Sequence, residues 1–181
     1  MSYGMHELAA ETFAPMLRGF SAILDKAAAH AEAQGIAPSE LVEARLAPDM
    51  FPLVKQVQEA ADHATGAIAR LSGAEPPPFE DTERTLGDLK ARIAAALDYI
   101  ASIPAAAFEG AADRQIVIPV PSHGIEFAMT GKQYLRDWAF PNFYFHLVTG
   151  YDILRHKGVE IGKQDYLAKI GAYVRPTAPA A

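Results

Sequence analysis

Apolar residues recur at three-, four- and five-residue steps along four stretches of this chain, and that spacing predicts four amphipathic helices. The first runs from about residue 5 to residue 33, with Leu8, Phe13, Leu17, Phe20 and Leu24 on one face. Pro15 lies inside it and predicts a kink, or a break after a short opening turn. Gly35 is the candidate C-terminal cap. Residues 36–51 form a connector with room for one short helix, whose start signal is Pro38-Ser39-Glu40. The second long helix opens at Pro52 in its first turn, and Leu53, Val57, Ala60, Ala64, Ile68 and Leu71 give it a continuous seam up to Gly73. The segment AEPPPFED reads as a stiff, extended connector. The third helix is expected from about residue 82 to 102, with Thr82 and Thr85 as candidate caps, Leu86, Leu89, Ile93, Leu97 and Ile100 on one face, and Pro104 as the stop. The fourth runs from Lys132 to His156, with Pro141 predicting a kink in its middle and Gly158 ending it.

Between the third and fourth helices the pattern changes. Residues 115–120, QIVIPV, are short and β-branched, residues 121–124 read as a turn, and residues 125–129 return as a second strand. Two prolines weaken the strands, so a hairpin or an ordered loop is expected. The end of the chain, RPTAPAA over residues 175–181, has the composition of a disordered tail. Together these elements predict an all-α four-helix bundle, one domain spanning residues 1–174, with the short hairpin or loop before the last long helix.

Composition narrows the function without naming it. The chain has 181 residues, half of them hydrophobic, and a formal net charge of −6. That charge and the lack of a basic run argue against a nucleic-acid binder. Cysteine is absent, which excludes disulfides, thiolate metal ligands and a cysteine nucleophile. The N-terminal residues lack the pattern of a signal peptide, and no apolar run approaches the roughly 20 residues that span a bilayer. A soluble cytoplasmic protein is the expectation. No phosphate loop, dinucleotide fingerprint or nucleophile elbow occurs.

The candidate chemistry lies in the last helix. From Phe140 onward it is apolar on nearly every side, which predicts burial, Phe145 and Leu147 included. Asn142 and His146 sit four residues apart on one stripe with Trp138 and Thr149. On the second helix His63 lies beside the seam. Packing of these two helices against each other would bring both imidazoles together inside the bundle. A divalent ion needs a third ligand, and the neutral amide of Asn142 is a weak one. The alternative is that Asn142 and His146 satisfy each other, a neighbour or a water. His6, His30 and His156 read as exposed, and His123 as a turn residue that could reach a cleft. Asp49, Asp62, Asp81 and Glu83 read as carboxylates beside helix starts, Asp152 with Arg155 as a surface pair, and Asp165 with Tyr166 as docking residues of the C-terminal segment.

Four segments carry a resemblance: DMFPL (Asp49 to Leu53), ARLSG (Ala69 to Gly73), PNFYFH (Pro141 to His146) and YDILRHKGVEIGKQDYL (Tyr151 to Leu167). They are similar to a branch of uncharacterised bacterial proteins, described as a domain of unknown function, within the DinB/YfiT-like superfamily. The resemblance implies an up-down-down-up four-helix bundle, often a homodimer. Many members hold a divalent metal (zinc, nickel or manganese) on three histidines, and some are thiol-dependent transferases, hydrolases or isomerases. By position, His63 and His146 match two of those ligands, Asn142 stands where the third would be, and Thr149 replaces a glutamine. This implies a degenerate histidine pocket formed by Trp138, Asn142, His146 and Thr149, which binds a small molecule or lacks catalysis. Two alternatives are a metal-dependent thiol or group transferase completed by Asn142, His123 or a carboxylate, and a dimeric interaction module built on the aromatic run from Phe140 to Tyr144.

Overall fold

In the computed structural model, which describes residues 4–175, helix α1 spans Met5–Gln34 and continues through Pro15 without a break. It ends at Gly35, whose φ of 64° reverses the chain so that the Ile36 N–H donates to the Ala31 carbonyl at 2.9 Å. A short α2, Pro38–Val42, follows. Helix α3 spans Leu53–Ser72, with Pro52 just outside it as the N-cap. Helix α4, Leu86–Ser102, begins later than the apolar spacing predicts, because Thr85 rather than Thr82 caps it. The Thr85 hydroxyl accepts from the Asp88 N–H at 3.1 Å, and the Asp88 carboxylate accepts from the Thr85 N–H at 2.9 Å.

The all-α expectation needs one correction, since the segment before the last helix is a true hairpin. Strand β1, Gln115–Val120, pairs antiparallel with β2, Ile125–Thr130, with Val120 opposite Ile125 at the turn. Each strand has a single neighbour, so Pro119 can present the edge that needs no N–H to solvent. The last rod then has three parts: α5 (Gly131–Gln133), a π-helical turn (Tyr134–Ala139) and α6 (Phe140–His156). The π turn stands immediately before Pro141, whose ring would clash with the carbonyl four residues back in a regular helix. A short helix, α7, spans Lys163–Tyr166, and a 3-10 segment, Ala168–Tyr173, follows it. The end of the chain, expected to be a tail, lies outside the described residues beyond Arg175.

Cross-helix contacts set the directions. Gln58 reaches Glu83 and Asp62 reaches Arg92, so α3 and α4 run parallel. On α1, Asp25 pairs with Lys90 while Ala14 lies near Ile100, so α1 is antiparallel to α4. On the last rod, His146 meets Gln56 while Tyr134 meets Arg70, so it runs antiparallel to α3. The core between the four is apolar and fully buried, with Phe13, Phe20, Phe143, Leu24, Leu53 and Ile68 among its members. Phe13 packs edge-on against Phe143, ring centroids 4.9 Å apart. The ring of Phe20 sits so close to Gly150 that a Cβ there would lie 2.6 Å from it. Among the described residues no helix is long and apolar enough to cross a membrane.

Four further expectations are corrected. Phe145 is 59% exposed, whereas Leu147 is buried, so the apolar circumference of α6 includes a solvent face that also carries Val148. Asp62, Asp81 and Glu83 do not serve helix starts; they surround the buried guanidinium of Arg92 at 2.6, 3.0 and 2.9 Å, with the Phe79 ring 3.9 Å from that cation. Arg155 donates to the Val159 carbonyl and makes no ion pair with Asp152 among the described residues. His6 and His30 are half-buried rather than exposed, and His6 rests edge-on against Phe108.

Candidate metal centre

The geometry of the site begins with a backbone carbonyl. Phe51, in the turn before α3, offers a carbonyl that can only accept, and the Gln56 amide nitrogen donates to it at 3.1 Å. That fixes which end of the Gln56 amide faces the other way: its Oε1 lies 2.8 Å from Nδ1 of His146. An amide oxygen accepts, so Nδ1 of His146 carries the proton. The lone pair of His146 therefore resides on Nε2. Both groups are buried.

His63 projects from α3 toward the same point. Its ring stacks on that of His146 with centroids 5.6 Å apart and planes inclined by 13°. One turn earlier on α3, Oε2 of Glu59 lies 3.8 Å from Nε2 of His63. One donor atom from each of Glu59, His63 and His146 falls within 4.8 Å of the others. The second oxygen of Glu59 is held at 3.0 Å by Lys55, which also contacts Asp81 at 2.9 Å. Burial pushes the proton affinity of His63 down to about 4, the neighbouring His146 and Arg70 add to this, and Glu59 opposes it. Burial lowers His146 as well, against Glu59. At neutral pH both imidazoles are uncharged, the form that coordinates metals.

The other residues singled out from the sequence take different places. The amide nitrogen of half-buried Asn142 donates to the Trp138 carbonyl at 2.8 Å, on the lip of the π turn. Trp138 packs against Phe127 of β2, centroids 5.2 Å apart. The buried Thr149 hydroxyl donates to the Phe145 carbonyl at 2.7 Å. His123 is exposed in the hairpin turn beside Ser122 and does not join the group. Glu59 and Lys55 were not singled out from the sequence. The signal was present, because Gln56, Glu59 and His63 stand at three- and four-residue steps on one face of α3.

The fold family implies a metal on three histidines, and the donor set here tests that implication. Two neutral imidazoles and one carboxylate form a donor set known for catalytic divalent ions, with coordination positions left for water or substrate. The Gln56–His146 hydrogen bond is the outer contact that such a ligand requires. The residues fit a metal, with Glu59 rather than Asn142 as the third donor.

Comparisons with known proteins bear on the family and the fold. The family described as a domain of unknown function (DUF1993) matches residues 5–167. A solved structure described as a DinB family member from Shewanella denitrificans is 40% identical, covers 98% of this chain and 94% of its own, and superposes with a TM-score of 0.84. No curated protein matches the chain.

Proposed function

The chain belongs to the DUF1993 family, and from the geometry of its histidine site we propose that it is a divalent-metal protein whose ion is held by Glu59, His63 and His146. The observation that carries this reading is the convergence of those three donors, with the His146 tautomer fixed by Gln56. A bound divalent ion supplies Lewis acidity and lowers the pKa of a coordinated water toward about 7. The chain's own residues do the rest. His63 and His146 present lone pairs without first losing a proton, and Glu59 contributes the negative charge. Gln56 holds the His146 ring in place, and Lys55 anchors the carboxylate oxygen that faces away from the histidines. This arrangement suits group transfer or hydrolysis on a small molecule.

Metal analysis of protein purified without a histidine tag, followed by calorimetric zinc titration, tests the reading. One ion per chain is expected for the wild type, with affinity lowered at least about 100-fold by His146→Ala or Glu59→Gln, and about 10–100-fold by Gln56→Ala. Binding left intact by all three substitutions, or absent from the wild type, refutes it. Absence would favour a second reading, a metal-free small-molecule pocket. That reading is supported by Asn142, which spends its amide on the Trp138 carbonyl.

A further inference from the structure

Beyond the three donors, the face of α3 that carries them continues to a fourth polar residue. Residues 59, 63, 66 and 70 fall within about 60° of one another around a helix of 3.6 residues per turn, so Glu59, His63, Gly66 and Arg70 form one stripe. The last rod runs antiparallel along this stripe. His146 and Gln56 are in contact at one end, and the Tyr134 hydroxyl lies 3.4 Å from Nη1 of Arg70 at the other.

Arg70 is exposed, but its side chain bends back along the helix rather than running straight outward. Its Nη1 lies over Gly66, where a Cβ would stand only 2.6 Å from it, so the guanidinium folds back one turn toward His63. A glycine at 66 leaves that space open. The guanidinium also lies 5.9 Å from the centre of the buried Tyr134 ring. Among the described residues no carboxylate lies within ion-pair distance of Arg70, whereas Arg92 has three and Arg136 has one. The nearby carboxylate of Asp62 is bound to Arg92. A groove of about 520 Å³ runs beside the stripe, lined by Asp62, Gly66, Arg70 and Phe79 among others.

We propose that Arg70 is the anion-recognition residue of this site. It receives a carboxylate or phosphate of a small acidic ligand whose other end reaches the Glu59–His63–His146 group. A planar guanidinium fork matches either anion. His63 and Arg70 are seven residues apart, about 10 Å along the helix axis, and the fold-back over Gly66 shortens that span. The bridging half of the proposal rests on the metal reading; recognition of the anion by Arg70 does not.

The test is calorimetric titration of inorganic phosphate into metal-free protein, and of acetate and glutarate into zinc-loaded protein. Wild type is compared with Arg70→Gln, Arg70→Lys and Gly66→Ala, each checked for its fold by circular dichroism. Arg70→Gln is expected to weaken phosphate and glutarate by about 10–100-fold while changing zinc affinity less than about threefold. Gly66→Ala keeps the charge but displaces the guanidinium and should give a smaller loss in the same direction, while Arg70→Lys should retain part of the binding. Glutarate should bind zinc-loaded wild type more tightly than acetate. Phosphate that does not bind, or that binds wild type and Arg70→Gln equally, overturns the assignment of Arg70. Equal affinity for acetate and glutarate overturns the bridging. If zinc fails to bind while phosphate still depends on Arg70, the metal reading falls and the Arg70 assignment stands.

Discussion

At Gln56 a neutral amide sits between a carbonyl that only accepts and a ring that can donate from either nitrogen, and the carbonyl decides the outcome for both. His63, which has no such partner, is governed by burial instead. Its proton affinity falls from the ordinary 6.5 to about 4, so the unfolded chain binds a proton in that window and the folded one does not. Metal-free protein is therefore expected to lose stability as the pH drops from about 6.5 to 4, and a His63→Gln variant should show a flatter profile over that range in urea titrations. A wild-type curve flat between those values would contradict the burial argument. His63 and His146 were legible as a pair because each stands on a helix face that the apolar pattern turns inward. Glu59 was not, because an acid one turn before a histidine on a helix is usually a solvated partner, and only the fold shows what faces it.

Among the elements, the four long rods follow directly from apolar spacing, and the capping residues Gly35, Thr85 and Gly73 were readable where side-chain or glycine chemistry marks an end. The π turn was not. Pro141 announced a disturbance, but a proline rule predicts a kink and cannot say that the chain will widen by one residue before it. That widening explains Asn142, which donates to the carbonyl of Trp138 from within the disturbed region. Replacing Asn142 with Ala should cost about 1 kcal/mol, read as a lowered urea midpoint with unchanged m-value. A neutral effect would mean that water replaces the amide without loss. The hairpin was ambiguous for a related reason: its prolines are tolerated only because each strand has a free edge, a property of the sheet rather than of the segment.

For the molecule as a whole, α3 is the axis of the fold, touching α4 through ion pairs and the last rod through the candidate metal centre. Arg92, side chain 1% exposed, gathers Asp62 of α3 together with Asp81 and Glu83 of the connector that precedes α4. Arg92→Ala should destabilise the fold by about 3 kcal/mol, because it leaves three clustered carboxylates without their cation, and equilibrium urea unfolding measures it. A loss below about 1 kcal/mol would show that water screens the cluster. No sequence rule reaches this network, since its members are joined only by tertiary packing.

Lys55 links that network to Glu59, and the link bears on how the protein is made. With an ammonium group beside the acid and two uncharged rings facing it, the folded chain balances the electrostatics of this group by itself. If the proposed ion binds, folding and ion uptake are then separate events, unlike zinc fingers, which stay unfolded until loaded. On that reading a chelator would empty the site without unfolding the chain.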